Sequence, residues 1–387
     1  MRPGSEAELA EAVAGLSAPI EVRGGGTRGG LGRPVQAAET LTTEGLSGVS
    51  LYEPGALTLV AGAGTPLAEV EAALAAEGQR LPFEPMDHRG LLGSEGEPTI
   101  GGAVSCNVSG PRRVQAGACR DSLIGVRFVD GRGRAIKNGG RVMKNVTGYD
   151  LVKLLAGSYG TLGVLSEVAF KVLPAPEAAA TAVLRGLDDA AAVTAMTSAL
   201  TSPFDVSGAA HLEGETLVRV EGFEGSVAYR AERLAERLGA FGEVELERGV
   251  EAAAARWARV RDAAPFQGAP GAVWRVHCRP SDAPAIRAAL PGAEAFYDWG
   301  GGLIWLRLDE GVGGGVGDGG VGDDGGAAAV RGAAAGRGHA TLVRASAAVR
   351  ASVDVFEPEA APLARLSEGL RERFDPRGVL NPGRMRA

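Results

Sequence analysis

The sequence predicts an α+β protein of two domains, and three observations carry that expectation. Between Thr99 and Pro174, glycines gather in short clusters separated by β-branched runs. Beyond Pro174 and Pro176 the pattern changes to helices and strands in alternation. At 387 residues the chain is also longer than one ordinary hydrophobic core requires.

The elements follow in order. MRPGSEAELAEAVAGL lacks the long apolar stretch of a signal peptide and instead carries a capping box, Ser5 with Glu8, that opens a short amphipathic helix. The strand PIEVR leads into the loop Gly24–Gly32. The strand LTLVAGAG precedes a helix with Thr65 as N-cap, Pro66 in its first position, Leu67, Val70 and Leu74 on one face, and Gly78 as its stop. VRFVD and RAIK flank Gly131–Gly133 as a hairpin, and alternation marks a strand from Val164. In the second half come the strand TLVRV, a helix capped by Ser226 that aligns Val227, Leu234 and Leu238, and the strand EVELE. A helix through Trp257, the strand AVWRVHC, a helix over 284–290 and the strands AFYDW, LIWLRL and TLVRA complete it. This alternation suits a ferredoxin-like sheet with helices on one face.

Composition excludes several classes of function. A net charge of -7 argues against a nucleic-acid partner, because phosphate binding needs a basic field. No run approaches the roughly 20 apolar residues that span a bilayer. Cys106, Cys119 and Cys278 are too far apart for a CxxC pair or a self-contained metal site, and read as cytosolic thiols. Gly-rich, aromatic-free sequence occupies 311–336, and its front half carries only acidic charge, the pattern of a flexible surface insertion.

The glycine clusters carry the chemistry. Gly24, Gly26 and Gly29 match a dinucleotide fingerprint after a strand, yet Pro34 and QAAETLTTEG follow where a Rossmann site needs a helix, which disfavours NAD. Bare backbone amides between strands still suit a flat, phosphate-bearing ligand. Taken together, RGGGTRGGLGRP, TIGGAVSCNVSG, GYDLVKLLAGSYGTLGVLSE and DPRGVLNPGRM resemble the flavin-binding fold of vanillyl-alcohol oxidase and p-cresol methylhydroxylase. Within it they resemble most the FAD-binding subunits of bacterial glycolate oxidases.

The resemblance implies a two-subdomain, PCMH-type FAD domain over 1–176 and a ferredoxin-like cap over 177–345 that contains the 311–336 insertion. A C-terminal segment, 346–387, would return to the FAD domain. It assigns cofactor contacts to Arg23, Gly24, Gly25, Gly26 and Thr27 in the first loop and to Thr99, Ile100, Gly101 and Gly102 in the second. Further contacts fall to Ser105, Asn107, Gly110, Asp121, Gly160, Gly163, Val164 and Asn381. With Thr27 in the neighbourhood where some relatives tether flavin through histidine, and His88 expected to be an exposed side chain, the FAD is expected to be noncovalent.

For catalysis the sequence offers only His339 in GRGHATLVR, expected to have no second histidine near it and hence no metal; Arg307 and Arg344 are candidates for a substrate carboxylate. The implied activity is oxidation of a small 2-hydroxy acid, glycolate to glyoxylate. Electrons would pass through flavin to partners, a larger FAD-containing catalytic subunit and an iron–sulfur subunit. The place implied is the cytoplasm, or the periphery of the inner membrane through the complex. A noncatalytic flavoprotein assembly subunit and a self-sufficient FAD-dependent oxidase stay open as alternatives.

Overall fold

The computed structural model describes residues 1–140, 148–309 and 324–385. The chain forms two compact units. The first comprises Met1–Ser109, Gly117–Ala175 and Pro358–Ala387, the second Gly110–Ala116 and Pro176–Glu357.

In the first unit, helix α1 (Glu6–Ala14) starts at Ser5, whose hydroxyl accepts the Glu8 N–H at 3.2 Å. Only half of the expected box closes, because the Glu8 carboxylate turns to the Gly4 N–H instead. Strands β1 (Ile20–Arg23) and β2 (Glu39–Thr42) pair in parallel, and Ile20 bridges Leu380 on its other side. Next come β3 (Val49–Glu53), β4 (Thr58–Gly62) and helix α2 (Leu67–Ala76). Pro66 is the cap of α2, one residue later than expected, because the Thr65 hydroxyl is drawn to Gly62 O at 2.7 Å and to the Gly48 N–H at 2.9 Å. Helix α3 (Ile100–Ser105) precedes β5 (Leu123–Val129) and β6 (Ala135–Gly139), the expected hairpin, and β7 (Val164–Lys171), the expected alternating strand. Their sheet runs β3-β4-β7-β5-β6. Leu9, Val13, Ile20, Leu41, Val129, Val164 and Leu380 form a core beneath β1. Of the sequence preceding Gly148, residues 141–147 lie outside the described residues.

The second unit contains the expected ferredoxin-like arrangement twice. The first copy is β8 (Ala178–Arg185), α4 (Asp189–Leu200), β9 (Gly208–Leu212), β10 (Glu215–Gly222), α5 (Glu224–Leu238) and β11 (Val244–Arg248). Helix α6 (Val250–Arg261) leads to the second copy: β12 (Ala272–Cys278), α7 (Ala283–Ala288), β13 (Glu294–Asp298), β14 (Leu303–Leu308), α8 (Ala327–Ala334) and β15 (Gly338–Arg344). The strand order is β11-β8-β10-β9-β13-β14-β12-β15, so the two copies run 4-1-3-2 and 2-3-1-4 and meet edge to edge at His211 and Tyr297. Joining the second strand of each copy makes one eight-stranded antiparallel sheet and removes two open edges.

Val193 and Met196 of α4, Val227 and Leu234 of α5, Ile286 of α7 and Val330 of α8 share one core with alternate residues of the strands. Trp257 of α6 lies among the other set, its Nε1 donating to Thr181 Oγ1 at 3.1 Å and its ring 4.6 Å from the Arg219 guanidinium. Phe223 caps α5; Ser226 lies inside it, where its hydroxyl accepts from Arg230 Nε. Of the Gly-rich segment, residues 310–323 lie outside the described residues, while 327–334 form α8 with Ala327, Val330 and Ala334 buried.

Candidate functional site

The first glycine loop leaves β1 at Gly24. A Cβ on Gly25 would stand 1.9 Å from Glu97 O, so only glycine lets this loop lie against residues 97–99. Gly26 turns the chain at φ +82°, a region that disfavours any side chain. Among the described residues, the N–H groups of Gly25, Gly26, Thr27 and Arg28 donate to no protein acceptor. Successive open amides of this kind form an anion cradle.

The second cluster contributes differently. Thr99 caps α3, its Oγ1 accepting the Gly102 N–H at 3.2 Å; the Ile100 N–H donates to Thr65 O at 2.9 Å and the Gly101 N–H to Ala63 O at 2.8 Å. These amides are used inside the fold, and a Cβ on Gly101 would stand 2.6 Å from Ala63 O. The loop therefore supplies room rather than hydrogen bonds.

Gly160, at φ +70°, comes so close to Asn381 that a Cβ would stand 2.9 Å from its Nδ2. Asn381 is itself buried at φ +45°, accepting the Val22 N–H and donating to Tyr159 O, each at 2.8 Å. Asparagine tolerates this left-handed geometry better than most residues, and its amide fastens the C-terminal segment to β1 and to the loop before β7.

These segments surround an open cleft. Of the residues singled out in the sequence, Arg23, Gly24, Gly25, Gly26, Thr27, Thr99, Gly101, Gly102, Ser105, Gly160, Gly163 and Asn381 line it. The others have different surroundings. Ile100 and Val164 are buried. Asn107 Oδ1 accepts the Arg120 N–H, Asp121 accepts the Ala118 N–H, and Gly110, in the second unit, accepts Trp299 Nε1 at 3.0 Å. Cys106 lines the cleft, where burial pushes its thiol pKa up.

The lining residues that the sequence reading did not single out include two cations: Arg28, inside the quoted RGGGTRGG, and Arg384, inside LNPGR. The signal was present, a basic side chain within each glycine-bearing run. Arg384 pairs with Glu21 at 2.7 Å, and Arg28 is buried with its Nε lacking a partner among the described residues. Gly-enforced space, open amides and a buried guanidinium fit a dinucleotide such as FAD.

The histidines differ from expectation. His88 is buried, not exposed, at the start of a helical turn where its carbonyl accepts the Leu92 N–H. His339 does have a histidine neighbour: β12 and β15 pair His277 with His339, and the rings stack 4.8 Å apart. The Trp299 ring lies tilted 5.4 Å from His277, beneath the Arg113 and Arg275 guanidinium groups at 4.6 and 5.4 Å. Burial, helped by Arg275, His339 and Arg113, pushes the His277 pKa down to about 2, so this imidazole is neutral at ordinary pH. Among the described residues, no group of three or more His, Cys, Asp or Glu is placed to hold a metal. Arg307 is already engaged by Glu294 and Asp309, and Arg344 donates to Gly271 O and Phe266 O, so both serve the fold instead of presenting themselves to a carboxylate.

Comparison with known proteins gives the context. Residues 1–139 match the FAD binding domain family. Over 370 residues the chain is 38% identical to glycolate oxidase subunit GlcE of Escherichia coli (strain K12), covering 95% of this chain and 93% of that protein. It is 42% identical over 95 residues to glycolate oxidase subunit GlcD of Bacillus subtilis (strain 168), covering 24% of this chain and 20% of that one. The fold matches 4-ethylphenol oxidase from Gulosibacter chungangensis with a TM-score of 0.71 at 14% identity, over 100% of this chain and 88% of that one. This chain is an FAD-binding protein of α+β fold, and it belongs to the glycolate oxidase subunit family that includes GlcE of Escherichia coli.

Proposed function

We propose that the chain is the FAD-binding subunit of a 2-hydroxy-acid oxidase that converts glycolate to glyoxylate and works as part of a multi-subunit complex. The observation that carries this reading is likeness to GlcE along 95% of the chain, through both units and not the flavin domain alone. When bound, FAD supplies the acceptor for the two electrons leaving the alcohol carbon. The chain's own part is to hold that cofactor noncovalently on the 25–28 amides and to exclude side chains from the cleft. Helix α9 (Ala361–Phe374) has no buried residue and leaves Leu363, Leu366 and Leu370 exposed, which suits a chain that meets another subunit. The partners that fit are a larger flavoprotein and an iron–sulfur chain.

Anaerobic rapid mixing with glycolate tests the division of labour. Purified alone, the chain should be yellow, release its flavin on denaturation and bleach slowly; with the larger flavoprotein added, its flavin should bleach promptly. Prompt bleaching without partners makes it a self-sufficient oxidase. An assembled complex whose turnover is unchanged when this chain lacks flavin makes its FAD structural.

A further inference from the structure

Arg28 is a buried charge that forms no ion pair among the described residues, Asp87 acting on it only through space. The residue is 8% exposed, and among the described residues its one hydrogen bond runs from Nη2 to Met86 O at 3.3 Å, while Nε has no partner. The neighbouring Asp87 is held by Arg89, whose Nη2 lies 2.8 Å away. Other buried arginines are matched: Arg384 by Glu21 at 2.7 Å, Arg112 by Glu221 at 3.0 Å. A guanidinium removed from water without an anion is strongly disfavoured, so its retention calls for an anionic ligand.

Its position says which part of the ligand that is. Arg28 ends the run of open amides from Gly25 and lines the same cleft. Across the cleft, a Cβ on Gly102 would stand 3.2 Å from Arg28 Nη1, so the second glycine loop leaves space for the guanidinium. Open amides beside a planar cationic fork are phosphate-binding chemistry. We propose that Arg28 is the counter-ion of the FAD pyrophosphate, and that the cofactor-free protein carries it without a paired anion. This rests on the FAD reading of the cleft and adds to it the residue that makes retention depend on the diphosphate.

Two consequences have opposite signs. Arg28→Met should weaken FAD binding by about 10- to 100-fold, yet raise the thermal midpoint of the flavin-free protein, because a stranded charge is gone. ADP, which carries the diphosphate without the flavin, should lose affinity by the same factor. Arg28→Lys should recover part of both losses. The experiment titrates flavin-free wild type, Arg28→Met and Arg28→Lys with FAD, ADP and riboflavin, and melts each without ligand. Unchanged FAD and ADP affinities in Arg28→Met overturn the proposal. Lost riboflavin affinity with ADP intact assigns Arg28 to the flavin ring and overturns it as well, as does a flavin-free variant that is destabilised or unfolded. A wild-type chain that binds neither FAD nor ADP defeats the FAD reading itself, a result recognisable before any variant is made.

Discussion

At the scale of single residues, the informative side chains are those whose neighbours are distant in sequence. Asn381 stands before Pro382 and reads as a turn residue, but its amide spans Val22 and Tyr159; nothing local announces either partner. His277 and His339 were legible as two separate histidines, and only the β12–β15 ladder stacks them. The burial of His277 has a measurable consequence. The folded His277 pKa, about 2, lies below the ordinary value of 6.5, so the unfolded chain binds a proton that the folded chain refuses. Its contribution to stability is therefore complete above pH 6.5 and declines as pH falls below it, by up to about 1.4 kcal/mol per pH unit. Chemical denaturation at pH 7 and pH 5 should show wild type losing more stability than His277→Phe. Equal losses would place another group in control of that window.

At the scale of elements, legibility followed the strength of the local pattern. The 131–133 hairpin and β7 carry turn glycines and strict alternation, and both formed as expected. The first ferredoxin-like copy was only half visible, because β8 (AAATAVLR) and β9 (GAAHL) are rich in alanine, which has weak strand preference and no two-residue rhythm. With those strands unseen, the repeat was unseen too. The Gly-rich segment divides along the same line. Its front half has few apolar groups to bury, whereas its end is built in: Asp324 accepts the Gly326 and Ala328 N–H groups at 2.8 and 3.0 Å, and Gly325 O accepts Trp274 Nε1 at 2.8 Å. Deleting 311–320 should leave soluble, flavin-loaded protein with an unchanged thermal midpoint, since shortening a loop alters closure entropy only slightly. Extending the deletion through 326 removes the cap of α8 and the acceptor of a fully buried indole. That should cost about 2–4 kcal/mol, read as a lower denaturation midpoint; two deletions of equal effect would mean that α8 does not depend on this turn.

At the scale of the whole molecule, the cleft is assembled from parts of one unit that are remote in sequence, and this couples cofactor binding to the chain's end. The Leu380 N–H donates to Asp375 at 2.8 Å, Asn381 reaches Val22, Arg384 reaches Glu21, and the Arg33 N–H returns to Arg384 O at 3.0 Å. A ligand that fills the space between the first loop and Asn381 binds only while those contacts are closed. By mass action, FAD at a hundred times its dissociation constant should make their opening about a hundredfold rarer, equivalent to about 2.7 kcal/mol. Trypsin reports this directly where opening is fast relative to cleavage: cuts after Arg377 and Arg384 should slow in proportion to added FAD. Arg233 and Arg237 lie exposed on α5 in the other unit, so cuts there should keep their rate. If FAD protected both regions equally, the cofactor's effect would be spread over the whole chain; if it protected neither, its site would lie away from the C-terminal clasp.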